Sequence, residues 1–115
     1  MLTQFSHFTI KASNVNTTVQ WYCDKLGFVK NHIADEVFAS LTHPNLGGLG
    51  VYASNTKTPV DRGAGIFFRC DDIQKTVEDL RLKGVTVDDP FQLGPNQSWV
   101  SFFYDVDGNK LGIIQ

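Results

Sequence analysis

An internal repeat constrains this 115-residue chain more than any other feature. The stretch His7 to Val15 leads into a helical pattern that stops at Lys25-Leu26-Gly27-Phe28. The stretch Gly65 to Ile73 leads into another that stops at Leu82-Lys83-Gly84-Val85. A shift of 58 positions lays Gly65 on His7, Arg69 on Lys11, Asp72 on Asn14, Ile73 on Val15, Thr76 on Thr18 and Val77 on Val19. Such a repeat predicts two like modules related by pseudo-symmetry, with a cleft between equivalent strands.

Phe5 to Ala12 alternates, with Phe8 and Ile10 on one side and His7, Thr9 and Lys11 on the other. Ser13-Asn14 offers a cap for a helix from Val15 to about Leu26. Val15, Val19, Tyr22 and Leu26 form its apolar face, and Gly27 its stop. Strands are expected at Phe28–Ala34, Val37–Thr42 and Leu49–Ser54, with turns at Asp35-Glu36 and His43–Gly48. The polar stretch Asn55–Gly63, with Pro59, is the expected linker. The second copy should start with a strand at Gly65–Cys70. A helix from Ile73 to about Lys83 follows, capped by Asp72 and stopped by Gly84. Strands are expected at Val85–Val87, Trp99–Tyr104 and Lys110–Ile114, the last two joined by a hairpin turn at Asp105–Asn109. Asp89–Ser98, with Pro90, Gly94 and Pro95, reads as a loop over the mouth of the cleft. The order is βαβββ twice. The fold class is α+β, with two tandem modules forming a curved mixed sheet around a cleft. Residues 1–115 make a single domain, module 1 at about 1–55 and module 2 at about 63–115.

Composition narrows the function. The 42% apolar content and nine Phe support a packed core. A net charge of −2 without a basic run gives no reason to expect nucleic acid. No stretch reaches the roughly 18 apolar residues of a membrane span, and the N-terminus has no signal-peptide pattern. Cys23 and Cys70 are far apart and in no metal-type spacing, so both are expected as reduced thiols in a cytoplasmic protein.

The doubled βαβββ order, Lys25-Leu26-Gly27-Phe28, the run Phe68–Ile73 and the closing Asp105–Leu111 together resemble the vicinal oxygen chelate superfamily. That group contains glyoxalase I, bleomycin-resistance proteins and extradiol dioxygenases. The resemblance covers nearly the whole chain. It implies metal ligands, commonly His or Glu, on the first and last strands of each module. Those places map to His7, Gly50, Gly65 and Gly112. One His and three Gly do not make a metal site, since a divalent ion needs several converging side-chain donors. No metal and no cofactor are therefore expected.

Strand glycines also leave room. Any one of them reads first as tight sheet packing or a bulge. Three at the implied ligand positions point to a widened ligand pocket. His7 is either a ligand contact or weak base, or a leftover histidine bonded to a neighbour. Lys11 and Arg69 hold symmetric positions, and Lys110 shares the face of Gly112, so the three would draw an anion. Taken singly, each reads first as a solvated strand end or as a salt-bridge partner of Asp71 and Asp72. Phe67, Trp99 and Phe38 are candidate stacking walls. The expected function is metal-independent binding of an aromatic or partly anionic small molecule, by sequestration as in drug resistance. The alternatives are a metal-dependent lyase or dioxygenase with unrecognised ligands, and a vestigial structural module. Partners are expected to be a small-molecule ligand and a second copy in a homodimer, with no nucleic acid and no membrane.

Overall fold

The computed structural model describes residues 1–3, 7–34, 36–53 and 65–115. The expected linker Asn55–Gly63, together with Phe5, Asp35 and Ser54 at expected element ends, lies outside the described residues. The chain divides into two compact units, Met1–Lys57 and Thr58–Gln115.

The first unit runs β1 (Phe8–Ala12), α1 (Val15–Leu26), β2 (Val29–Ala34), β3 (Phe38–His43) and β4 (Gly47–Ala53). Its sheet has the order β1-β4-β3-β2. The first strand pairs in parallel with the last, and the other pairs are antiparallel. Asn14 starts α1 by accepting the Thr17 N–H at 2.9 Å. Gly27 ends it at φ 77°, in the left-handed region that glycine enters without a Cβ clash. Phe28 still gives its N–H to the Tyr22 carbonyl, which is why β2 begins one residue later than expected. Val15, Thr18, Val19 and Tyr22 of α1 are buried with Ile10, Ala12, Ala39, Leu41, Leu49 and Val51 of the sheet. Those sheet residues alternate along their strands, so one face carries the core and the other stays open.

The second unit repeats the plan. It runs β5 (Phe67–Arg69), α2 (Ile73–Leu82), β6 (Thr86–Val87), β7 (Phe91–Gln92), β8 (Trp99–Tyr104) and β9 (Lys110–Ile114). The sheet order is β5-β9-β8-β6, again with the first strand parallel to the last. Asp72 caps α2 through the Lys75 N–H, and Gly84 at φ 80° follows its end. Ile73, Val77 and Leu80 are buried with Val85, Val87, Phe103, Leu111 and Ile113. β5 is shorter than expected, yet its hydrogen bonds run on, from Gly112 to Ile66 and from Cys70 to Ile114.

One expectation is corrected. Asp89–Ser98 is not wholly loop, because Phe91–Gln92 pairs with Val100 and Trp99. β6 and β7 lie along one uninterrupted β8 and are separated at Asp88–Pro90. Pro90 has no N–H to give the ladder, which accounts for the break. The α+β class and the two βαβββ modules hold, with the strands gathered into one mixed sheet per unit.

Candidate functional site

The strand registers bring the repeat into contact terms. Gly50 of β4 stands between Thr9 and Ser40, and Gly112 of β9 stands between Phe67 and Phe102. Thr9 and Phe67 are the same 58 positions apart as His7 and Gly65. The two glycines therefore occupy equivalent central places on the open faces.

On the open face of the first sheet, His7, Thr9 and Lys11 are exposed around Gly50. A Cβ on Gly50 would meet Thr9 Cγ2 at 3.1 Å, His7 Cδ2 at 3.2 Å and Phe38 Cε2 at 3.2 Å. Three side chains thus fill the room this glycine leaves. Phe38, taken as a stacking wall, is one of them. His32 pairs with Ser40 beyond an irregularity between Lys30 and His32, which puts it on the same face. Its facing could not be read from sequence, because the irregularity resets the alternation.

On the open face of the second sheet, the Phe67 ring lies over Gly112. A Cβ there would overlap the ring. Phe67 is also 48% exposed, so its outer side meets solvent. Its ring meets Phe102 edge-on, with centroids 5.8 Å apart and planes at 68°. Phe91 flanks Phe102 from the other side at 6.1 Å. The Lys110 ammonium stands 4.3 Å above the Phe102 ring centroid. Arg69 shares this face at the far end of β5, opposite Ile114. Gly65 is exposed, and beyond its chain neighbours no atom of the described residues lies within 4 Å of where its Cβ would be.

The predicted residues therefore fall into two groups: His7, Lys11 and Gly50 on one sheet, and Gly65, Phe67, Arg69, Lys110 and Gly112 on the other. Trp99 does not join the second group. It alternates with Ser101 and Phe103, which point into the core, whereas Phe102 points to the open face. Of the three glycines expected to widen a pocket, two are covered by the protein's own side chains. Phe91 and Phe102 were not singled out from sequence. The signal for Phe102 was present, since a hairpin closed by Tyr104 and Lys110 sets Phe102 opposite Gly112.

Away from these faces, one histidine and one cysteine serve the fold. His43 Nδ1 accepts the N–H groups of Asn45 and Leu46 at 3.0 and 3.2 Å and so holds the turn. Burial, the larger influence on the Cys23 thiol, pushes its pKa up and outweighs the nearby Lys30. That thiol is protonated at neutral pH and a poor nucleophile. A depression of about 370 Å³ along α2 is lined by Gln74, Val77, Glu78, Arg81 and Leu82, and no candidate residue touches it.

The metal that the resemblance implies does not fit these side chains. The four equivalent positions offer one imidazole and three glycines. Among the described residues no three His, Cys, Asp or Glu side chains converge on one point. Nor is any described helix long and apolar enough to cross a membrane.

The family model described as Glyoxalase/Bleomycin resistance protein/Dioxygenase superfamily matches residues 4–113. No curated protein matches the chain. Among solved structures, an integron cassette protein from the mobile metagenome of a Halifax Harbour sewage outfall is similar with a TM-score of 0.80 at 20% identity, over 98% of each chain. A fosfomycin resistance protein from Listeria monocytogenes, complexed with Mn(II), is similar with a TM-score of 0.78 at 14% identity, over 98% of this chain and 90% of that one. Lactoylglutathione lyase from Agrobacterium tumefaciens gives 0.76 at 14% identity, over 99% and 94%. At these identities the likeness is one of fold.

Proposed function

The chain belongs to the glyoxalase/bleomycin resistance protein/dioxygenase superfamily, and on that premise we propose that it binds a small molecule without a resident metal ion. The observation that carries this reading is the occupancy of the two central glycines. Where the resemblance implies a ligating side chain at the last strand of each module, this chain has no side chain at all. In the second module the space is taken by a phenyl ring, and in the first by Thr9, His7 and Phe38. A phenyl ring supplies no donor to a divalent cation, and one imidazole does not hold such an ion against water. The superfamily includes resistance proteins as well as enzymes, and sequestration of an aromatic or partly anionic compound suits this site. Free Cys23 and Cys70 accord with a reducing compartment.

Metal analysis tests the reading. The protein is incubated with Ni²⁺, Zn²⁺, Mn²⁺ and Fe²⁺ in turn, dialysed extensively and assayed for bound metal. No retained ion is expected. One tightly held ion per chain overturns the reading and directs assays to a metal-dependent lyase or dioxygenase. A thermal-shift screen of small molecules separates a binder from a vestigial module. A ligand at a hundred times its Kd adds about 2.7 kcal/mol to the stability of the folded state.

A further inference from the structure

We propose that the open face of the second sheet binds a planar aromatic carboxylate. The ligand ring lies against Phe67 and Phe91, and the carboxylate sits on the Lys110 ammonium. This inference rests on the small-molecule reading above and names the class of compound.

The argument starts from what the face exposes. Phe67 and Phe91 are each nearly half exposed, at 48% and 46%, and Phe102 lies between them. Three phenyl rings on the open face of one sheet are a costly surface to leave in water. They are also a stacking platform for a flat ring, which prefers offset or edge contacts with its neighbours.

Charge then chooses among flat ligands. Lys110 stands over Phe102, so one side of its ammonium faces the ring and the remaining N–H donors face outward. Among the described residues no carboxylate pairs with it. Asp88 lies by the neighbouring strand, and its Oδ2 accepts the Tyr104 hydroxyl at 2.9 Å. A cationic arene would be attracted by the phenyl faces but repelled by Lys110 and Arg69. A neutral arene would leave the Lys110 donors to water. An aromatic anion satisfies both parts of the face.

Distance decides which cation does the work. Lys110 precedes Gly112 by two residues on β9, and Arg69 stands opposite Ile114, two residues beyond Gly112. Four residues along a strand are about 13 Å. That is the spacing of their Cα atoms; the Lys110 ammonium already stands at a ring of the platform, 4.3 Å from the Phe102 centroid, and among the described residues Arg69 has no such ring contact. Lys110, beside the rings, holds it.

The test is a titration of the isotope-labelled chain followed by amide NMR. The probes are 2-naphthoate, 2-naphthylmethanol and cyclohexanecarboxylate. Saturable shifts at Phe91, Phe102, Lys110 and Gly112 are expected with 2-naphthoate. The alcohol, which lacks the charge, and the cyclohexane acid, which lacks the flat ring, should each bind about tenfold more weakly. Lys110→Met should weaken 2-naphthoate by about the same factor, and Lys110→Arg should restore much of it. Arg69→Gln should change it less than Lys110→Met does, since the Arg69 guanidinium makes no ring contact on the platform. Equal affinities for the acid and the alcohol overturn the proposal. So do shifts that map elsewhere, or a Lys110→Met variant that folds and binds 2-naphthoate unchanged. If 2-naphthoate fails while another compound raises the melting temperature, the aromatic-acid class is wrong and the small-molecule reading survives. If no compound binds and a metal is retained, both fall together.

Discussion

At one place in the two sheets stand Thr9, Gly50 and Ser40; at the equivalent place stand Phe67, Gly112 and Phe102. The backbone plan is shared, down to the parallel pairing of first and last strands. The side chains have diverged, small and polar in the first sheet and aromatic in the second. The glycine between them answers to each neighbourhood. Gly50 is bordered by tips of three side chains, and Gly112 lies beneath one ring. The two modules share the hydrogen-bonded frame, which every residue but proline can serve, and differ in their open faces. One open face therefore carries a row of phenyl rings, while its copy carries Thr9 and Ser40 with His7, Lys11 and Phe38 around the glycine.

The largest effects should come from the faces that did not diverge. Leu41 and Phe103 hold equivalent inner positions, opposite Leu49 and Leu111, and both are almost wholly buried. Leu41→Ala is expected to cost about 2–5 kcal/mol and Phe103→Ala about 3–5 kcal/mol, because each leaves a cavity in addition to the lost transfer energy. Urea unfolding followed by circular dichroism measures both. A loss below about 1 kcal/mol for either would mean that module lacks the packed inner face described for it.

A smaller effect separates the two hairpin turns. His43 and Asp105 stand at the same place, at the end of the strand before each last hairpin. Each accepts two backbone N–H groups: His43 Nδ1 from Asn45 and Leu46, Asp105 Oδ1 from Asp107 and Asn109. Nδ1 of histidine and Oδ1 of aspartate are the same number of bonds from Cα, so two chemistries perform one task. Asp105 is buried and its Oδ2 also accepts the Asn109 amide at 2.8 Å. Asp105→Ala should therefore cost about 1–3 kcal/mol, and His43→Ala, in a more exposed turn, about 0.5–1.5 kcal/mol. His43→Asp should recover most of the second loss. Equal losses at the two turns would show that burial of the carboxylate adds nothing.

Much of this fold is legible in the sequence. The repeat, the caps Asn14 and Asp72, the stops Gly27 and Gly84, and the strands Trp99–Tyr104 and Lys110–Ile114 follow from spacing and turn chemistry, which act locally. What eluded the sequence depended on contacts between strands. β7 exists because β8 offers it a partner, while Pro90 and Gly94 nearby speak for a loop. Aromaticity alone groups Trp99 with Phe67, whereas alternation along β8 turns it to the other face. The glycines were visible as missing side chains. That a ring lies over one of them is a fact about the strand beside it.

The glycines give the finest test of the comparison. Alanine is intrinsically better in a strand than glycine by about 0.5–1 kcal/mol, so in empty space either substitution would stabilise. At Gly50 the new methyl would sit 3.1–3.2 Å from Thr9, His7 and Phe38, and small movements of those tips relieve it. Gly50→Ala should be within about 0.5 kcal/mol of neutral. At Gly112 the methyl falls inside the space of the Phe67 ring, so the ring must swing out and give up its edge contact with Phe102. That contact and the lost burial outweigh the strand preference, and Gly112→Ala should be destabilising by about 1 kcal/mol. The cause lies in Phe67, and a double-mutant cycle isolates it. In a Phe67→Ala background the same Gly112→Ala change meets no ring, and it should become neutral or stabilising by about 0.5 kcal/mol. A cycle with no coupling would mean the ring is not held against Gly112, and the aromatic face of the second module would then be no more ordered than the polar face of the first.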